Sequence, residues 1–227
     1  MSGLVMVITL VQSILAYGVW RRCGNPLALA AFLFASAAGA EPIRLVALGD
    51  SLTAGYGLPE DEGFVPQLEE WLAEKGRDDV DVINMGVSGD TSAGGLARLD
   101  WALGGGAEAV IVELGANDLL RGVDPVSTRE NLDQLLGSLG ERGLPVLISG
   151  MQASGNFGPE YKEAYDAIFP DLASKHDAVY DPFFLEGLVG DAGLFQADGL
   201  HPSREGVARI VSRIGPRVLE LLERVEP

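Results

Sequence analysis

The sequence predicts an α/β protein, a three-layer α/β/α sandwich around a five-stranded parallel sheet, on three observations. Five short, mostly apolar runs recur along the chain from Ile43 onward. Each is followed by a longer segment whose apolar residues fall at helical spacing, and no repeat, low-complexity tract or linker interrupts the alternation. Strands that are mostly apolar, each followed by a helix, belong in a parallel sheet covered on both faces.

The first run spans residues 44–48 and the next helical pattern residues 64–75. Residues 80–84 form the second run, followed by a helical pattern over 91–103. A third run over 109–114 precedes the pattern 125–142, where Leu132, Leu135, Leu136 and Leu139 mark one buried stripe. Residues 145–149 and 178–180 supply the last two strands, with helical patterns at 160–176 and 204–224. In open parallel sheets, ligands bind beyond the carboxyl ends of the strands, so chemistry is expected in the loops that follow them.

Residues 1–40 stand apart from this pattern. They hold two of the sixteen basic residues, Arg21 and Arg22, and none of the thirty-three acidic ones. From Arg21, a basic start leads into an apolar run over 27–34 and small residues ending at Ala38-Gly39-Ala40, the order found in an export signal cleaved by signal peptidase. Cleavage is expected after Ala40, leaving a domain of residues 41–227 in the periplasm or secreted. The earlier apolar stretch, residues 4–20, reads either as the product of a start codon assigned too early or as an anchor tethering the domain to a membrane.

Residues 41–227 carry a formal net charge of −19, a field that repels nucleic acid and anionic lipid surfaces. After Ala40 charges recur too often for any segment to span a bilayer, so the domain itself is not expected to insert into a membrane. The lone cysteine, Cys23, lies in the expected signal segment, which excludes a cysteine nucleophile, disulfides and cysteine-ligated zinc from the mature protein. No metal or organic cofactor is expected. Composition does not set the oligomeric state, and a monomer is the starting expectation.

Four loops carry unusual sequences. Gly49-Asp50-Ser51-Leu52-Thr53 follows the first strand, and the glycine permits a tight strand-to-helix turn that raises the Ser51 hydroxyl above the sheet near free backbone N–H groups. Thr53 stands where the Gly-x-Ser-x-Gly elbow needs its second glycine, and no Gly-Lys-Ser/Thr makes a phosphate loop. A serine here serves equally as a helix cap. After the second strand, Gly86-Val87-Ser88-Gly89-Asp90-Thr91 resembles a nucleophile motif, but Gly89 follows Ser88 too early, so Ser88 is read as a decoy. Gly89 instead brings a bare N–H close to a ligand, with Asp90 or Thr91 capping the next helix.

In the third loop, Gly115-Ala116-Asn117-Asp118, the Asn117 amide is a candidate oxyanion donor, although the same residue types make ordinary turns. The fourth is Asp198-Gly199-Leu200-His201-Pro202. Only His176 and His201 are available as an imidazole base, and His176 is expected to be solvent-exposed near a helix C-terminus. His201 has an acid three residues earlier, an offset that lets Asp198 accept from Nδ1–H and leaves Nε2 for the serine proton. Pro202 suits the first turn of the helix that follows.

With all four blocks in order, the chain resembles the SGNH/GDSL hydrolases, and within them the multifunctional thioesterase I, lysophospholipase L1 and arylesterase subgroup. The resemblance runs from Ile43 to near the C-terminus and implies the flavodoxin-like fold of that family. Matching positions imply Ser51 as nucleophile, the Ser51 and Gly89 N–H groups with the Asn117 amide as oxyanion hole, and Asp198 and His201 as partners. The implied activity is hydrolysis of carboxylic esters or thioesters of short-to-medium acyl chains. The loop 150–158 departs from the subgroup, carrying Ser154 and Gly155 where relatives commonly have a pair of prolines before Asn156. Leu119, Leu120, Met151, Val123 and Phe157 are candidates for contact with the acyl chain. A carbohydrate O-acetylesterase with a polar, acetyl-sized pocket uses the same four blocks, and a binding module without turnover is the reading from a different class.

Overall fold

A computed structural model describes residues 41–225 of the chain. The expected export segment lies outside the described residues. Five strands, β1 (Ile43–Gly49), β2 (Val80–Gly86), β3 (Ala109–Glu113), β4 (Val146–Ser149) and β5 (Val179–Asp181), form one sheet in the order β2-β1-β3-β4-β5. All four pairings are parallel, as the apolar runs predict. Every residue of β3 is buried, while β2, at the sheet edge, alternates between buried Val80 and Val82 and partly exposed neighbours.

Among the described residues eight α-helices connect the strands, α1 (Ser51–Ala54), α2 (Phe64–Glu74), α3 (Ser92–Ala97), α4 (Leu99–Ala102), α5 (Ala116–Leu120), α6 (Pro125–Glu141), α7 (Pro159–Asp166) and α8 (Ile168–Lys175), and a ninth, α9 (Arg204–Leu222), follows β5. α2 packs on α9, and α3 and α8 pack on α6, so helices cover both sides of the sheet. The stripe Leu132, Leu135, Leu136 and Leu139 of α6 is buried as its spacing implies.

Two expected helices are each divided. The segment 160–176 breaks at Ala167 into α7 and α8, because Pro170 has no N–H for the Asp166 carbonyl and its ring crowds that group. The segment 91–103 breaks at Arg98, whose guanidinium bonds to Asp90 Oδ2 at 2.5 Å and to the Gly49 carbonyl at 2.9 Å. That break ties the helix to the end of β1.

The pairing register aligns the strand ends that matter. Gly49 stands opposite both Gly86 and Glu113, Glu113 opposite Ser149, and Ser149 opposite Asp181. The loops after β1, β2, β3 and β4 therefore leave the sheet at one level. The strand order reverses between β1 and β3, where the connection after β1 runs outward to β2 and that after β2 returns to β3. That switch point is where an open parallel sheet leaves a crevice for ligands.

Candidate active site

Ser51 opens α1 directly beyond β1. Asp50 caps that helix, its Oδ1 accepting from Leu52 N at 3.0 Å, and Gly55 ends it in the left-handed region at φ 76°. One turn of helix in such tight quarters needs room beside it. Gly86 of β2 supplies that room, since a Cβ there would stand 2.3 Å from Ala54 N. The serine hydroxyl is thus held at the sheet edge by backbone packing rather than by its own cap bond.

His201 Nε2 lies 2.9 Å from Ser51 Oγ, and His201 Nδ1 lies 2.6 Å from Asp198 Oδ2. The second Asp198 oxygen accepts from the backbone N–H groups of Leu200 at 2.9 Å and His201 at 3.0 Å, so one carboxylate closes the turn and orients the ring. The imidazole bond, helped by those N–H donors, holds the Asp198 carboxyl down at about 2. Ionised at neutral pH, Asp198 can only accept, which puts the proton on Nδ1 and leaves Nε2 to accept from the serine hydroxyl. Tyr56 covers the ring, its centroid 4.6 Å from that of His201. Pro202 pairs with Phe195 rather than entering the last helix, which is capped by Ser203 and begins at Arg204.

Asn117 sits in α5, a short helix where sequence alone suggested only a turn; Gly115 leads into it at φ 119°. Its Nδ2 donates to Asp50 Oδ2 at 2.9 Å. An amide nitrogen carries two hydrogens, so the Asp50 bond fixes the plane of the group and leaves the second hydrogen free for a ligand. Gly89 adopts φ 86°, a conformation glycine takes without strain, and its carbonyl accepts from Arg121 Nη2 at 2.7 Å. Ser88 lines the same cavity without a bond to His201, consistent with its reading as a decoy. Thr91 caps α3, accepting from Gly94 N at 3.2 Å, while Asp90 instead pairs with Arg98.

Ser51, Gly89, Asn117 and His201 all line one cavity of about 490 Å³, of the size usual for small-molecule sites. Its walls are largely apolar and include Leu119, Leu120, Met151, Phe183, Leu185 and Leu200. Phe157 and Val123 lie outside the lining. Phe157 packs on Tyr161, with ring centroids 5.0 Å apart, and over Gly122, while the Val123 carbonyl accepts from the Tyr161 hydroxyl at 2.8 Å. The aromatic neighbour in α7 thus draws both residues away from the cavity. His176 is a second correction: although it caps α8 at its C-terminus, its ring is only 18% exposed and meets Asp133 Oδ1 at 2.6 Å. Among the described residues no cluster of three or more His, Cys, Asp or Glu side chains is arranged to hold a metal ion.

Several site residues have no motif to announce them. Tyr56, Phe183 and Leu185 reach the cavity through tertiary packing, and Leu200, although inside the fourth loop, has no role assigned by that motif. Beneath them lies Glu113, fully buried in β3, whose Oε2 accepts from Thr53 Oγ1 at 2.8 Å and from Asp50 N at 3.4 Å. Burial, reinforced by the neighbouring Asp50 charge, pushes its carboxyl well above the usual range, and burial likewise raises Asp50 to about 6. In the sequence Glu113 shows only as one acid within an apolar strand, with nothing to indicate its partners.

Comparison with known proteins identifies relatives of the whole domain. The chain is 40% identical to "Esterase TesA" of Pseudomonas aeruginosa over 195 residues, covering 86% of this chain and 96% of that protein. It is 39% identical to "Thioesterase 1/protease 1/lysophospholipase L1" of Escherichia coli K12 over 162 residues, 71% of this chain and 76% of that protein. Among solved structures, the esterase AlinE4, described as an SGNH-hydrolase family esterase, is 43% identical with a TM-score of 0.68, over 80% of this chain and 97% of that one. The family described as GDSL-like Lipase/Acylhydrolase matches residues 47–209, a span that contains all four loops meeting at the cavity. The chain belongs to the GDSL-like lipase/acylhydrolase family.

Proposed function

We propose that the protein is a serine hydrolase of carboxylic esters and thioesters with short-to-medium acyl chains, working through an acyl-enzyme on Ser51. His201 is the general base and acid, Asp198 orients it, and the Ser51 N–H, Gly89 N–H and Asn117 amide stabilise the oxyanion. The observation that carries this reading is the continuous Asp198–His201–Ser51 hydrogen-bond chain at the wall of an apolar cavity.

In the first step His201 Nε2 takes the Ser51 proton as Oγ attacks the substrate carbonyl carbon. Charge gathers on the carbonyl oxygen, where donors fixed in advance cost no reorganisation as the transition state forms. The imidazolium formed faces the ionised Asp198 and then gives its proton to the leaving oxygen or sulfur as the bond to carbon breaks. Water, deprotonated by the same imidazole, attacks the acyl-enzyme, and the proton returns to Ser51 Oγ as the acid leaves. Each step needs only groups the chain supplies.

The names of relatives support both ester and thioester substrates. The apolar walls favour an acyl chain over a sugar, since the cavity offers few polar groups to satisfy hydroxyls. Residues 1–40 are assigned as an export segment removed after Ala40, which places the working enzyme in the periplasm or outside the cell.

The test is hydrolysis of p-nitrophenyl esters of increasing acyl length, using the exported protein, whose N-terminus is expected by mass spectrometry at Glu41. Turnover is expected to peak at short-to-medium chains, and Ser51→Ala is expected to lower kcat on the order of 10⁶-fold. Unchanged activity in Ser51→Ala overturns the mechanism, and turnover confined to acetyl esters overturns the acyl-chain reading.

A further inference from the structure

The mechanism fixes how an ester must lie in the site, and with it where the alcohol portion goes. The carbonyl oxygen faces the oxyanion donors, and the leaving oxygen must lie beside His201 Nε2 to receive its proton. The alcohol chain therefore departs on the His201 side. On that side the cavity wall includes Leu200, next to His201 in the chain, together with Leu185.

Both leucines also line a second, larger cavity of about 940 Å³. Val189, Phe195 and Ala197 continue its apolar surface, and Asp191 is its one charged residue. Val189 and Leu200 are 70% and 53% exposed, an unusual display of aliphatic surface so close to a polar site. The two spaces adjoin at the residues they share, Leu185 and Leu200, so the second is the apolar surface nearest to a chain leaving the first past Leu200. Leu119, Leu120 and Met151, by contrast, line only the first cavity.

We propose that the groove formed by Leu185, Val189, Phe195 and Leu200 binds the leaving group of the substrate, and that its ligand is a neutral, apolar alcohol with an aliphatic chain or aromatic ring. This rests on the acyl-enzyme reading above. The groove offers no cation to a phosphorylated leaving group, and the Asp191 carboxylate disfavours an anionic one. Selectivity for the alcohol is thereby separate from selectivity for the acyl chain, each having its own apolar wall.

The experiment holds the acyl group constant. Methyl, butyl and hexyl butyrate all give the same butyryl-enzyme, so differences in kcat/KM report on acylation and hence on the alcohol. Wild type is expected to gain up to about four-fold in kcat/KM for each methylene the groove accommodates. Val189→Asp, a change at an exposed position outside the catalytic residues, is expected to lower kcat/KM for hexyl butyrate about ten-fold or more while leaving methyl butyrate within about two-fold.

A second series, methyl esters of lengthening acids, is expected to respond equally in wild type and variant. Independence from alcohol length in the wild type overturns the groove, as does an equal loss on methyl and hexyl esters or a Val189→Asp effect confined to acyl length. If methyl butyrate is hydrolysed only when Ser51 is intact, those outcomes leave the acyl-enzyme reading standing. Hydrolysis that is absent, or independent of Ser51, removes both.

Discussion

Asp50 links the helix that carries Ser51, the proposed nucleophile, to Asn117, the proposed oxyanion donor. One of its oxygens caps α1 at Leu52 N and the other holds the Asn117 amide. Glu113 lies below, in contact with Thr53 and the Asp50 backbone, and its Oε1 has no partner. Two adjacent buried carboxyls cannot both be charged at low cost, and their raised values have a definite consequence for stability. A carboxyl that holds its proton more tightly when folded favours the folded state at low pH. That stability erodes as pH rises above the unfolded values near 4, through about 6 for Asp50 and higher for Glu113. Glu113→Gln removes one proton from that linkage. The thermal midpoint of Glu113→Gln relative to wild type is expected to shift upward from pH 5 to pH 8, at up to ~1 kcal/mol per pH unit in stability. A difference that stays constant over that range would show Glu113 ionised in the native protein. At this scale the sequence was legible where partners are near in the chain, as with Asp198 and His201. It was silent on Glu113 and Asp50, which are brought together only by the register that sets Gly49 opposite Glu113.

Elements were legible in kind and less so at their ends. All five apolar runs are strands, yet β2 continues through Met85 to Gly86, beyond the apolar pattern, because backbone pairing with β1 persists after the side chains stop being buried. The divided helices have the same lesson in reverse. Pro170 was a visible breaker, whereas the break at Arg98 follows from a bond to the Gly49 carbonyl that no local pattern contains. The placement of α1 is likewise a tertiary matter. A Cβ on Gly86 would meet Ala54 N, Ala54 Cα and the Thr53 carbonyl carbon at 2.3, 2.7 and 2.8 Å, and all three are backbone atoms of the helix that carries Ser51. Gly86→Ala can be accommodated only by moving α1. A shift of that kind is expected to cost about 1–3 kcal/mol in stability and on the order of 10²-fold in kcat/KM, because the hydroxyl leaves its place beside His201. Circular dichroism melting together with ester hydrolysis measures both, and wild-type activity in this variant would mean that α1 does not depend on Gly86 for its position.

On the scale of the whole molecule, the domain from Glu41 onward is strongly acidic, with net charge −19, while the cavity beside Ser51 and His201 is walled by apolar residues. A field of that sign acts on a substrate before any contact is made, and it distinguishes two kinds of leaving group that the catalytic residues treat alike. A p-nitrophenyl ester is neutral and feels little of it. An acyl-coenzyme A thioester is a polyanion and is repelled. Against this stands Arg121, whose guanidinium reaches the Gly89 carbonyl at the edge of the proposed oxyanion site and supplies a local positive charge. One cation set against the charge of the whole domain leaves the long-range repulsion dominant, and salt is the means to weigh the two. The screening length falls from about 30 Å at 0.01 M ionic strength to about 8 Å at 0.15 M, so added salt removes the distant charges first and leaves Arg121 effective at contact. The expected outcome is that kcat/KM for a medium-chain acyl-coenzyme A rises several-fold over that range, while kcat/KM for the p-nitrophenyl ester of the same acid changes less than about two-fold. Parallel measurements at both ionic strengths decide the matter. A fall in thioester kcat/KM with salt would assign control to the local cation, making Arg121 an anchor for anionic leaving groups in spite of the acidic surroundings.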